Sequence, residues 1–232
     1  AGDALSAVRI DTLPTAGTLT LSGTAVTAGQ VITTADLAAS QLVFTPAANA
    51  NGTGYARVAF SVRDSTSLYD PTPNTLTVNV TAVNDRPTDL SLSANMVAEN
   101  AANGTVVGTV SGTDPDAGDT KSYSLTNTAG GRFAINRTTG ALTVANSTLL
   151  NYEAATSHAV TVRVTDRGGL TYDETFTINL TNVNEAPSGT NATVTITEDT
   201  AHVLTAANFG FSDVDAGDAL SAVRIDTLPT AG

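Results

Sequence analysis

Thr113-Asp114-Pro115-Asp116-Ala117-Gly118-Asp119 sets three carboxylates and a glycine into a few residues. With one residue changed, its acidic part recurs as Asp213-Val214-Asp215-Ala216-Gly217-Asp218. Alternating Asp residues in a turn place several hard oxygens on one side of the backbone, the usual way a flexible calcium site is built. Left empty, two carboxylates about 4 Å apart repel by roughly 4 kcal/mol at an effective dielectric near 20. A divalent cation removes that repulsion. The doubled turn therefore points to a repeated, metal-holding unit, and the rest of the chain can be divided around it.

Repetition is also literal. Ala1–Gly17 reads AGDALSAVRIDTLPTAG and Ala216–Gly232 reads the same, residue for residue. Seventeen identical residues imply one full period of a tandem array plus a short overlap, with residue 1 falling inside a module of a larger protein. Two Pro-ended connectors, Ala82-Val83-Asn84-Asp85-Arg86-Pro87 and Asn182-Val183-Asn184-Glu185-Ala186-Pro187, each follow an alternating stretch, Thr75–Val80 and Thr175–Leu180. They divide the chain into a module over residues 1–86 that lacks its first strands, a complete module over 87–187, and the opening of the next copy of the first over 188–232.

Short alternating segments at regular spacing, with turn residues between them, predict β-sandwiches. Val106–Val110, Ser122–Leu125 and Ala159–Val164 are three such segments. Arg132–Asn136 and Ala141–Val144 form a hairpin around Arg137–Gly140, with Phe133, Ile135, Leu142 and Val144 on its inner face. Gly17–Leu21, Gln41–Thr45, Ala56–Val62 and Thr75–Val80 repeat the pattern in the first module, and Thr34–Ala39 reads as one helical turn capped by Thr34. The fold class expected is all-β, as tandem Greek-key sandwiches.

Composition agrees with this reading. The 232 residues carry a net charge of −12, with no Cys, no Trp, two His and 5% aromatic residues. The one lysine is Lys121. Such a balance argues against nucleic acid and anionic membrane surfaces as partners. No apolar run reaches the length of a membrane helix. An acidic, Lys-poor, Cys-free β-protein suits an exported bacterial surface polymer better than a cytosolic enzyme.

Motifs in order along residues 87–187 resemble a cadherin repeat of the bacterial type. They are Ala98-Glu99-Asn100, Asp114-Pro115-Asp116, Phe133-Ala134-Ile135 through Thr139-Gly140-Ala141-Leu142, Leu150-Asn151-Tyr152-Glu153, Val164-Thr165-Asp166, and the connector Asn182–Pro187. Residues 1–86 resemble the cadherin-like repeats of very large bacterial adhesins through Thr27–Leu37 and Leu42–Asn49. The resemblance implies tandem cadherin- or immunoglobulin-like sandwiches with calcium at their junctions. At the second junction it implies Glu99, Asn151 and Glu153 from one module, Asn184 and Glu185 from the connector, and Asp213 and Asp215 from the next. At the first it implies Asn84, Asp85, Asp114, Asp116 and Asp166. Glu198 and Asp64 are counterparts whose partners belong to neighbouring copies. Asn at 151 and 182, Ala at 82, Arg86 and Ala186 depart from the family pattern and imply weaker binding or fewer ions. Asp119 and Asp218 read equally as outer ligands or as solvated turn residues.

Catalysis finds little support. His158 and His202 have no cysteine, Ser-x-Gly elbow or metal-binding His pair beside them. Glu99 and Glu153 as a glycosidase pair would lack an aromatic platform for sugar. Thr-x-Thr runs such as Thr193–Thr197 are explained by strand alternation, and Asn51-Gly52-Thr53 by composition. The expected role is a calcium-stiffened structural segment of an extracellular bacterial adhesin or surface filament, with neighbouring copies of the same repeat as its partners and any cell-surface or glycan ligand held by other regions. A glycan- or ice-binding module, and a sheath or fibre subunit completed by strand exchange, are the other classes. Of the two ways to complete the first module, a longer covalent array and donation of residues 188–215 between chains, the overlap of 1–17 with 216–232 favours the array, since donation would set the two copies competing for one place.

Overall fold

A computed structural model describes residues 3–227. The chain forms two compact units: Ala1–Asp85 with Pro115–Gly118, and Arg86–Asp114 with Asp119–Gly232. Nearly all regular structure in both is strand.

The first unit contains β1 (Leu5–Ile10), β2 (Thr18–Leu21), β3 (Thr24–Ala25), β4 (Val31–Thr33), helix α1 (Thr34–Ala38), β5 (Leu42–Thr45), β6 (Gly52–Asp64) and β7 (Asn74–Val80). They make two sheets, β4-β1-β6-β7 and β3-β2-β5. Ile10, Val26, Ile32 and Val58 form its buried core. The cap of α1 is Thr33, one residue before the expected Thr34. Thr33 is extended and its hydroxyl accepts the Asp36 N–H at 3.1 Å, while the Asp36 carboxylate accepts the Thr33 N–H at 2.9 Å. That reciprocal pair requires an acid three residues after the cap, which Thr33 has and Thr34 lacks.

The second unit contains β8 (Asp89–Leu92), β9 (Met96–Ala98), β10 (Val106–Thr113), β11 (Ser122–Asn127), β12 (Phe133–Ile135), β13 (Ala141–Val144), β14 (Ser157–Thr165) and β15 (Thr171–Thr181). Sheet β12-β13-β10-β8 and sheet β11-β14-β15-β9 are the two layers of a sandwich. Period two decides what is inside: Val160, Val162 and Val164 of β14 are fully buried, and so is Ile178 of β15. The β12–β13 hairpin pairs Phe133 with Val144 and Ile135 with Leu142. Each such side chain, taken fully out of water, contributes about 1.5–3 kcal/mol. Gly140 ends the hairpin turn at φ +70°, where a Cβ would lie 2.2 Å from the Val110 carbonyl oxygen, so the position admits no side chain.

One pairing positions the site. β9 runs parallel to β15, with Leu180 opposite Val97 and Thr181 opposite Ala98. The start of the module thus lies beside its end, and the residue after β9, Glu99, lies beside the connector that follows β15. Among the described residues, 188–227 carry only an isolated bridge between Ser188 and Ser212 and a 3-10 turn at Ala206–Phe209. Thr193–Thr197, expected as a strand, forms none: alternation creates a strand only where a neighbouring strand takes its hydrogen bonds.

Candidate metal centre

Glu99 is the buried anchor of the site, 1% exposed. One carboxylate oxygen accepts the Tyr152 N–H at 2.7 Å, and the other accepts the Val183 N–H at 2.8 Å. It therefore ties three segments together: the end of β9, the Asn151–Glu153 turn and the connector. Ligand oxygens of Glu99, Glu153 and Glu185 lie within 4.8 Å of one another. Glu153 is exposed and Glu185 half-buried.

The connector also reaches the second acidic turn. The Glu185 N–H donates to Asp215 Oδ2 at 2.8 Å, and Asn100 Nδ2 donates to Glu185 Oε1 at 2.7 Å. Asn184 Nδ2 donates to the Glu185 carbonyl at 2.9 Å. Asp213, Asp215 and Asp218 form a triad of their own, with the Asp215 N–H donating to Asp213 Oδ1 at 3.0 Å. Glu185 Oε2 and Asp215 Oδ1 are buried without a hydrogen-bond partner. Burial raises the Glu185 carboxyl above the usual carboxylate range, and the charges of Glu99, Asp215 and Glu153 raise it further.

An uncompensated buried carboxylate oxygen is costly, and several of them beside like charges are costlier still. A hard divalent cation with six to eight oxygen ligands resolves both problems. The residues present fit such an ion.

The other predicted ligands fall into several groups. Asp114, Asp119 and Asp166 bring ligand oxygens within 4.8 Å of one another in the second unit. In the first, the Asp85 N–H donates to Asp116 Oδ2 at 2.7 Å. Asn84 Nδ2 donates to the Asp85 carbonyl at 3.2 Å, as Asn184 does to that of Glu185. Asn151 Oδ1 caps the turn at Ala154. Asp64 and Asp166 close the same turn in the two units. Each donates its backbone N–H to the carbonyl of the leucine four residues on, Leu68 and Leu170, and accepts that leucine's N–H with its carboxylate. The Leu68 N–H and the Thr66 hydroxyl hold the Asp64 carboxyl below its usual range. Glu198 is exposed. Asp119 and Asp218, left open by sequence, belong to the acidic triads; the signal was their spacing after the Asp-x-Asp pair. His158 packs against the Phe133 ring, 6.5 Å between centroids, and burial lowers its pKa.

Residues 94–197 match the profile of the Cadherin domain. Over 116 residues the chain is 34% identical to human Cadherin-related family member 2, a match covering 47% of this chain and 9% of that protein. The chain thus spans under a tenth of that relative's length. Among solved structures, human CDH23 EC21-23 matches with a TM-score of 0.57 at 21% identity, covering 91% of this chain and 74% of the other. Mouse Cadherin-23 EC22-24 matches with a TM-score of 0.50 at 20% identity, covering 81% and 58%. These likenesses show the fold, cadherin-like sandwiches of immunoglobulin type. No helix among the described residues is long and apolar enough to cross a membrane.

Proposed function

We propose that the chain is a calcium-stiffened structural segment of an extracellular bacterial adhesin or surface filament, with modules over 1–86 and 87–187 and a further copy of the first opening at 188. The observation that carries this reading is the pair of buried, unpartnered oxygens on Glu185, in a connector already crowded by Glu99 and Glu153, and on Asp215 of the acidic turn it bonds. Buried carboxylate oxygens that lack a hydrogen-bond donor suit a cation-held joint, not a polar network closed on itself. The match of residues 94–197 to a domain of adhesion proteins supports the same role. Bacterial origin is supported by the acidic, Cys-free composition and the literal repetition of residues 1–17 at 216–232.

Glu99, Glu153, Glu185, Asp213 and Asp215 would hold calcium at the second junction, with the amide oxygens of Asn151 and Asn184. Asn84, Asp85, Asp114, Asp116 and Asp166 would do so at the first, joined by Glu198 and Asp64 counterparts from adjoining copies. The ion supplies positive charge that turns mutual repulsion into a bridge. Extracellular modules bind at about 10⁻⁴–10⁻³ M. One ion at ten times its dissociation constant stabilises the bound state by about 1.4 kcal/mol, so a rigid joint needs several acting together. Calorimetric calcium titration, paired with hydrogen exchange over 182–187 and 213–218, tests the reading. Saturable binding that slows exchange in both stretches is expected. Absence of binding heat, with exchange unchanged by chelator, would refute it.

A further inference from the structure

The connector residue Glu185 is gripped at every polar group but one. Its N–H donates to Asp215 Oδ2 at 2.8 Å, and its carbonyl accepts Asn184 Nδ2 at 2.9 Å. Asp85 sits in the same backbone frame, its N–H on Asp116 and its carbonyl under Asn84. That frame fixes the path of a connector and leaves the side chain alone. A glutamate side chain has three rotatable bonds, and ordering it costs conformational entropy. For Glu185 the ordering contact is Asn100, whose Nδ2 donates to Oε1 at 2.7 Å. An ionised carboxylate only accepts, so the amide must turn its NH2 toward it. The group left over, Oε2, is buried with no hydrogen-bond partner.

Asn100 is itself held fast. It follows Glu99, which is 1% exposed and bound through both oxygens to the N–H groups of Tyr152 and Val183. Its own N–H donates to the Leu150 carbonyl at 3.3 Å, and its φ is 55°. Glycine, asparagine and aspartate take this left-handed backbone at least cost. Of the three, asparagine alone carries a side-chain donor when aspartate is ionised. The turn therefore aims an amide, from a rigid anchor, at a flexible carboxylate. Asp215 is an independent sign of what the space accepts: it is 7% exposed, and its Oδ1 is also without a partner.

We propose that Asn100 is the positioning residue of the second junction. It occupies Glu185 Oε1 and so presents Oε2 to a cation as a single, preset ligand atom. This role rests on the calcium reading above and adds to it a residue that binds no ion itself. Outer partners that orient a metal ligand are worth about ten- to a hundredfold in affinity.

The experiment compares the full chain with its Asn100→Gly and Asn100→Asp variants. Glycine takes positive φ freely, and Asp199 does so at 60° in the similar run Ile196-Thr197-Glu198-Asp199. Both variants therefore keep the turn, which melting in chelator checks. In chelator, exchange of the 182–187 amides quickens roughly fivefold or more in both variants. The effect is larger in Asn100→Asp, where a carboxylate faces Glu185. In calcium titration Asn100→Gly binds about tenfold more weakly than the unaltered chain. An asparagine kept only for its backbone turn would be replaced by glycine without that loss. Equal affinity in the two chains overturns the proposal and leaves the calcium reading standing. Weaker binding with unchanged exchange also overturns it, because the loss then arises elsewhere. Absence of binding by the unaltered chain is a separate result, which sinks the calcium reading and the role of Asn100 with it.

Discussion

Two glutamates at one joint have different duties. Glu153 is exposed and makes no hydrogen bond that shapes the fold, so Glu153→Gln should weaken calcium binding while the second unit melts at an unchanged temperature in chelator. Glu99 is buried and accepts two backbone N–H groups. Glu99→Gln exchanges an acceptor for a donor facing donors, and it should also lower stability by about 1–3 kcal/mol. Calorimetry and thermal melts of both variants check this, and equal melting losses would assign Glu153 a structural role too. Thr33→Ala removes a reciprocal cap and should cost the first unit about 1 kcal/mol in denaturant titration, whereas Thr34→Ala should cost far less. The sequence holds both threonines side by side, and only the Asp36 spacing distinguishes them.

Individual elements were legible where local pattern and tertiary packing agree. The β12–β13 hairpin shows alternation, a turn glycine and paired apolar residues within about a dozen positions, and the structure places them as the pattern predicts. Leu142→Ala should therefore destabilise the second unit by about 2–5 kcal/mol, and Gly140→Ala, barred by the Val110 carbonyl, by more than the roughly 1 kcal/mol that a compatible glycine position would return. Urea titration measures both, and a neutral Gly140→Ala would contradict the close approach. Thr193–Thr197 alternates just as well and is no strand, because its pattern says nothing of who supplies the facing backbone groups. The site divides the same way. Glu99, Glu153 and Glu185 could be read from ordered motifs because one folded unit assembles them. Glu198, set in a similar apolar-x-Glu-polar run, remains exposed, since among the described residues 188–227 form no strands to enclose it.

For the molecule as a whole, pH and calcium should be linked with a definite sign. The Glu185 carboxyl is raised by burial and by Glu99, Asp215 and Glu153. Between its unfolded and folded values the folded chain keeps a proton that the unfolded chain has released, so this group's contribution to stability falls as pH rises through that window. Asp64 runs oppositely: its lowered value adds stability above the ordinary carboxylate range that is lost as pH falls. In chelator, exchange of the 182–187 amides should therefore quicken as pH rises from about 4 to 7, after correction for intrinsic exchange. In calcium that dependence should vanish, and persistence of the same slope would show that no cation neutralises the cluster. The parallel pairing of β9 with β15 has one more consequence, mechanical in kind. Pulling apart the chain that enters and the chain that leaves the second unit drags these two strands past each other along their length. The ladder from Asn179–Met96 to Thr181–Ala98 then resists in shear, its bonds breaking together instead of unzipping singly, and resistance to such forced unfolding is a matter of rate, not equilibrium.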